Sequence, residues 1–311
     1  MGIPGNSSGI TLSVVIPAYN YAAVLPRAVE SVLAQTESAD SVELLVVDDG
    51  STDDTAAVLE QLQTRYPGRF RALRKNNGGA SSARNLGIRE AAGHYLLFLD
   101  ADDELAPGAL QALTEHLAAH PHTRLVIGGH IGVSPDGKRR EHLPESLPED
   151  PVQRLRAYLL DKRLALSNGA CVMHREVFKR GDYPEQFRSA EDIPVFAQAV
   201  ANCPCSLIAQ PLALVHKHDD SLRHQFSHAK AGGLALVDEV FSPRRLDQRF
   251  QGLKPEFYVQ RSLSLFRSAY LASDVDAAKH YFSAAFRCDW RVVLKGSYMR
   301  KAVRLWLGMG V

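Results

Sequence analysis

The sequence has 311 residues, enough at about 100–200 residues per domain for one large domain or two unequal ones. Its 45% hydrophobic and 23% charged residues are an ordinary globular composition, which excludes a disordered, collagen-like or coiled-coil chain. Thirty-six Lys and Arg against 35 Asp and Glu leave a net charge of +1, so no overall field draws the chain to nucleic acid, and no nucleic-acid partner is expected.

The first regular segment is the apolar run Leu12 to Ile16, closed by Pro17, which has no N–H to offer a strand partner. Leu25, Ala28, Val29, Val32 and Leu33 then recur on one helical face. Glu43 to Val47 predicts a second strand, ending at Asp48 and Asp49. The turn Gly50 to Asp53 is rich in helix-capping residues, and Val58, Leu59 and Leu62 supply the next apolar face. Phe70 to Arg74 is expected as a third strand and Ala80 to Ala92 as a third helix, stopped at Gly93. Tyr95 to Leu99 is a fully apolar strand running into Asp100-Ala101-Asp102-Asp103. Pro107 opens a helix to about Ala119, and Leu125 to Ile131 is a further strand.

Strands that are unbroken apolar runs, alternating with helices over about 130 residues, predict a parallel sheet covered on both faces. Functional side chains then collect at the strands' carboxyl ends, where Tyr19, Asn20, Asp48, Asp49, Asp100 and Asp102 fall. Ser134 to Pro151 carries four prolines and reads as an exposed excursion. Ala165 to Met173 and Ser206 to Val215 are expected to return strands to the sheet. From about Phe226 the strand signal ends, and Leu263, Phe266, Tyr270, Ala277, Tyr281 and Phe282 recur at helical spacing in a separate helical portion. Asp274 to Ala285 resembles one helix pair of a tetratricopeptide array, but no repeat accompanies it. Cys171, Cys203, Cys205 and Cys288 are too few for a disulfide framework and suit a reducing compartment. Met1 to Gly9 shows no apolar leader, so the expectation is a cytoplasmic protein with a loose tail over residues 1–10.

Asp100-Ala101-Asp102 carries the sharpest chemical signal. Two carboxylates one residue apart at a strand end can both reach a hard cation, and a magnesium-like ion uses one or two carboxylates while substrate phosphates complete its shell. A diphosphate ligand is the natural inference. The same residues also suit the start of a helix, where negative charge is favourable. A phosphatase of the haloacid dehalogenase type is excluded, because it wants Thr or Val where Glu104 stands and places its motif near the N-terminus. Gly78, Gly79 and Gly87 fit neither a Walker loop nor a dinucleotide fingerprint. Cys203-Pro204-Cys205 with His216 and His218 lacks the spacing of a zinc site.

The pieces occur together and in order: Val14-Val15-Ile16-Pro17-Ala18-Tyr19-Asn20, then Val46-Val47-Asp48-Asp49-Gly50-Ser51-Thr52-Asp53, then Asn77-Gly78-Gly79-Ala80-Ser81-Ser82-Ala83-Arg84-Asn85-Leu86-Gly87, then Phe98-Leu99-Asp100-Ala101-Asp102-Asp103, and later Glu191-Asp192. This ordered set resembles the inverting family 2 glycosyltransferases of the GT-A fold, over residues 11 to about 225. The resemblance implies an α/β, Rossmann-like, mixed but mostly parallel sheet flanked by helices. It implies a nucleotide-binding half over 11–103 and an acceptor half over 104–225, with a C-terminal helical region over 226–311.

The same resemblance implies roles. Pro17, Ala18, Tyr19 and Asn20 with Asp49 would cradle the base and ribose, Asp49 accepting a hydrogen bond from the base and Asp48 standing beside it. Asn77, Gly78 and Arg84 would hold the nucleotide or its phosphates, a task that suits a guanidinium, with Asp100 and Ala101 completing that surface. Asp102 would be the metal ligand nearest the diphosphate, and Asp100 would act directly or through water. His218, rather than His216, would touch the metal. Asp192 would be the general base for the acceptor hydroxyl, and Glu191 the adjacent alternative or an orienting group. Pro194 also marks Asp192 as a helix cap. The implied cofactor is Mn2+ or Mg2+, the donor a nucleotide diphosphate sugar, UDP-sugar foremost, and the acceptor a glycan or lipid-linked molecule in bacterial surface-glycan or lipopolysaccharide assembly. The alternative is a non-catalytic nucleotide-sugar-binding module with a partner-recruiting helical tail.

Arg287 to Arg304 holds six Lys and Arg against Asp289 alone, interleaved with Trp290, Leu294, Trp306 and neighbouring leucines. Two readings follow: a basic amphipathic end resting on anionic lipid at the inner face of a membrane, or a helix packing its apolar residues on the catalytic domain.

Overall fold

Strand β1 (Leu12–Ala18) is buried along its whole length because it has a neighbour on each side. It pairs in parallel with β2 (Val42–Asp48) and with β4 (Tyr95–Phe98), and β2 pairs in parallel with β3 (Arg71–Arg74). This is a computed structural model, and it describes residues 11–36, 41–217 and 226–307. Between these strands lie α1 (Leu25–Leu33), α2 (Thr55–Arg65) and α3 (Ala80–Glu90). The five apolar residues expected on the face of α1 are the ones it buries.

The sheet has nine strands in the order β3-β2-β1-β4-β8-β6-β9-β5, with β7 pairing on β6. Beyond β4 its direction changes. Strand β8 (Cys171–His174) enters between β4 and β6 (Leu125–Val133) and runs antiparallel to both. Strand β9 (Cys205–His216) is parallel to β6, and the two-residue β5 (Glu104–Leu105) is antiparallel to β9. The sheet is mixed, as the family resemblance implied, and the antiparallel pairing that the apolar runs alone did not reveal begins at β8. An apolar run reports burial on both faces, not the direction of its neighbour.

Other boundaries shift for local reasons. Helix α4 (Ala109–Ala119) starts after Gly108, whose φ is 76°, rather than at Pro107. The expected strand Ala165 to Met173 contributes only β8, because Asn168–Ala170 form a 3-10 turn. The polar excursion contains a short exposed strand, β7 (Arg139–His142), antiparallel to β6. In β9 the register against β6 slips near Pro211, a bulge where the residue without an N–H sits.

The sheet divides the core into two layers. One gathers α1, α2 and α4; the other gathers α3, α5 (Pro151–Leu159) and α6 (Ile193–Asn202). The helices after Phe226 are α7 (Phe226–Gly232), α8 (Ala235–Val240), α9 (Lys254–Leu271), α10 (Val275–Cys288) and α11 (Gly296–Trp306). Leu236, Val237 and Val240 of α8 and Phe257 of α9 belong to the α5–α6 layer, whereas the rest of α9 forms a third core with α10 and α11. Among the described residues no helix is long and apolar enough to cross a membrane.

Candidate active site

The ends of β1 and β2 are clasped together. Asn20, at a φ of 59°, donates its backbone N–H to Ser51 Oγ at 2.9 Å and accepts from Thr52 N–H on Oδ1 at 2.8 Å. The Ala22 N–H reaches Asp53 Oδ2 at 3.1 Å. Tyr19 is 42% exposed at this edge, and Asn20 is exposed beside it. Pro17, Ala18 and Ala101 are buried behind this edge.

Asp48 and Asp49 are both buried. Asp48 Oδ1 accepts the Ser51 N–H at 2.8 Å, and its other oxygen lies 3.4 Å from Arg74 Nε. Asp49 organises the glycine-rich loop. Its carboxylate accepts from Lys75 Nζ at 2.6 Å, Gly79 N–H at 2.6 Å, Gly78 N–H at 3.0 Å and Asn77 Nδ2 at 3.2 Å. A carboxylate has about four lone-pair positions, and these four donors occupy them. Asp49, expected to accept a hydrogen bond from the base, has both oxygens engaged by this loop in the structure. Gly79 has a φ of 89°, and a side chain there would collide with the Arg188 guanidinium. The positive φ is what calls for glycine here, since the Arg188 side chain could swing aside.

Arg84 joins the two acidic ends. Its guanidinium, on the buried face of α3, donates to Glu191 Oε1 at 2.8 Å and to Asp100 Oδ1 at 2.9 Å, and lies 5.3 Å from the centre of the Tyr183 ring. Burial alone would lower its pKa, but the two carboxylates outweigh it and hold the cation more firmly than usual. Arg84, expected to help hold the nucleotide or its phosphates, has both terminal nitrogens on carboxylates in this structure. Asp192 stands at the N-cap position of α6, yet its side chain makes no capping bond. Burial, then the charge of Glu191, push its pKa up to about 6, against the opposing pull of Arg84. Two adjacent carboxyl groups are thus set apart, one neutralised by an ion pair and one poised near neutrality, the pattern that assigns acid–base roles.

Around Asp102 the chain is equally tied. Arg27 donates to its carbonyl at 2.6 Å. Burial, then the charges of Asp102, Asp100 and Asp103, push the Tyr21 hydroxyl up to about 12. His216 pairs with Glu104 at 2.7 Å and offers its backbone N–H to Asp103 at 2.9 Å, so it braces the β4–β5 turn from β9. His218 lies outside the described residues. No group of three or more His, Cys, Asp or Glu side chains among the described residues is placed to hold a metal alone. The oxygen donors of Asp100 and Asp102 fit a hard divalent ion that takes the rest of its shell from phosphates.

Lys75, Tyr183, Arg188 and Arg245 were not signalled by the sequence motifs. Asn85 holds Tyr183 by its backbone at 2.9 and 3.0 Å, and the Tyr183 hydroxyl donates to Asn168 at 2.7 Å. Arg245, 1% exposed, donates to Asp182 O at 2.8 Å, Gln198 Oε1 at 2.6 Å and Glu239 Oε1 at 2.7 Å. A helix-region residue thereby fixes the strand of chain that delivers Tyr183 under Arg84. These contacts join residues far apart in the sequence and arise only from tertiary folding.

Solved structures define the class by fold. Over 96% of this chain and 89% of the other, it superposes on Staphylococcus aureus TarS residues 1–349 with a TM-score of 0.67 at 20% identity, and on the same protein with UDP-GlcNAc at 0.68 and 19%. The mannosyltransferase PcManGT of Pyrobaculum calidifontis, solved with GDP-Man and Mn2+, gives 0.57 at 17%. The fold is GT-A. Residues 13–182, more than half the chain, match the model of Glycosyl transferase family 2, and the chain belongs to that family. Similar curated proteins include the uncharacterized glycosyltransferase alr2836 of Nostoc, 45% identical over 33% of this chain and 32% of that protein. The uncharacterized glycosyltransferase EpsJ of Bacillus subtilis is 33% identical over 59% and 54%. Matches thus span about a third to half of these relatives' lengths.

Proposed function

We propose that the chain is an inverting glycosyltransferase that moves a sugar from a nucleotide diphosphate sugar to an acceptor hydroxyl. The observation that carries this reading is the Arg84 bridge that joins Asp100 to Glu191, with Asp192 next to it in the chain, buried and raised in pKa by burial and then by Glu191 against the pull of Arg84. In one displacement the Asp192 carboxylate takes the acceptor's proton, the acceptor oxygen bonds to the anomeric carbon, and the bond to the diphosphate breaks on the opposite face. An alcohol becomes a competent nucleophile as a positioned carboxylate removes its proton. Glu191, paired with Arg84, orients the site.

Tyr19, Asn20, Asp48, Asn77 and Gly78 line the nucleotide's place, with Pro17, Ala18 and Ala101 contributing main chain. Asp102 and Asp100 would hold Mn2+ or Mg2+, whose charge would offset that developing on the leaving diphosphate. A UDP-sugar is the first donor to test, supported by the structural likeness to TarS solved with UDP and UDP-GlcNAc. Matches to TarS and to the minor teichoic acid biosynthesis protein GgaB of Bacillus subtilis support a surface-glycan acceptor. Residues 11–225 would form the catalytic domain, with the 226–311 helices buttressing its acceptor side.

The test is turnover of a nucleotide-sugar panel with simple glycan acceptors, alongside donor binding by calorimetry. Donor binding with transfer supports the reading. Donor binding without any transfer across the panel points to the non-catalytic module, and no donor binding overturns both.

A further inference from the structure

The last described helices leave apolar side chains outside their own core. Trp290 is 63% exposed, Leu294 73% and Leu307 67%, and Trp306, 50% exposed, sets one edge against Phe282 at 5.8 Å, whereas Val292, Ala302 and Leu305 from the same segment are buried in the third core. Packing is therefore satisfied by one side of α11, and a second side is left over. On that second side Val303 and Leu307 are four residues apart, so they share a stripe, with exposed Arg300 and Arg304 flanking it. Arg287 to Arg304 has an excess of five positive charges, although the whole chain carries only +1. The one acidic residue, Asp289, is already paired with Arg291 at 2.8 Å.

We propose that this face docks on an anionic lipid bilayer, with the two indoles at headgroup depth and the Arg and Lys side chains on lipid phosphates. Interleaved aromatic, aliphatic and basic groups along the 3-10 segment Trp290–Leu294 and α11 suit an interface of that kind. A second copy of the chain is disfavoured, since a two-fold contact would set these cations against their own equivalents. Nucleic acid would match the charge but not the exposed leucines. Docking does not depend on the transfer reading, and it would hold whether or not the site turns over.

The chain's only two tryptophans, Trp290 and Trp306, both lie here, so intrinsic emission reports on this face alone. The full chain is titrated with phosphatidylcholine vesicles with and without phosphatidylglycerol, at low and high salt, and followed by flotation and by tryptophan emission. The expected result is affinity about tenfold or more higher for the anionic vesicles, falling with salt, with an emission shift to the blue. The pair Leu294→Ser with Leu307→Ser, and separately Arg300→Glu with Arg304→Glu, should each lose most of that affinity while melting like the parent. No association with anionic vesicles at low salt overturns the proposal. So does a blue shift that follows protein concentration without lipid, which would identify a second copy as the occupant.

Discussion

Asp192 is the side chain whose environment makes the most exact demand. Its pKa of about 6, against an ordinary value of 3.8, means that the folded state holds a proton through the window between them, while an unfolded chain has released it. Stability from this group accordingly falls as pH rises from about 4 to about 6, and its ionised form is a cost above that. Two outcomes are expected. Transfer should rise through pH 6 and level off, as measured by kcat/KM for the donor, which reports the free enzyme. Asp192→Asn should lose about 10²- to 10⁴-fold in kcat, retain donor affinity and melt no lower than the parent at pH 7.5 or so. A variant that transfers normally removes Asp192 from the role. Asp49→Asn behaves differently, because it weakens the charge-assisted bonds holding Gly78 and Gly79. It should cost on the order of 1–3 kcal/mol in denaturant unfolding and weaken nucleotide binding together with stability. At this scale Asp48, Asp49 and Asp100 stand out in the sequence because each follows or ends an apolar strand, whereas Glu191 and Asp192 precede a helix. The four donors around Asp49 were not legible there, because Lys75 and Gly79 reach it only after the loop closes, and the commitment of Arg84 to Glu191 spans 107 residues of sequence.

Among the elements, β1, β2, β4 and the face of α1 could be read directly from runs and spacing. Strand direction beyond β4 could not. The apolar character of β8 says that it is covered, and the chain that precedes it decides which way it enters. The junction between sheet and C-terminal helices was also hidden. Apolar spacing marked the helices but gave no sign that α8 shares a core with α6. Arg245 is the test of that junction. Arg245→Leu strands Glu239, Gln198 and the carbonyl of Asp182 in a buried setting, and its expected destabilisation is about 3–5 kcal/mol by chemical denaturation. An unchanged midpoint would show that the helices do not brace the 181–192 segment.

For the whole molecule, the half that would receive the nucleotide is parallel and its motifs are contiguous, whereas the remaining half is assembled from distant pieces. That difference explains why the family was readable and the contact network was not. If a divalent ion serves the site as proposed, excess chelator should abolish transfer and added Mn2+ should restore it; full activity after chelation would contradict the assignment. The guanidinium between β4 and α6 also has a kinetic meaning. Whatever draws Asp100 away leaves Arg84 wholly to Glu191, softening the field that keeps the neighbouring acid protonated. If a bound donor engages Asp100 as proposed, Asp192 is expected to ionise at a lower pH with donor bound than without it, which a comparison of the pH profiles of kcat and kcat/KM checks.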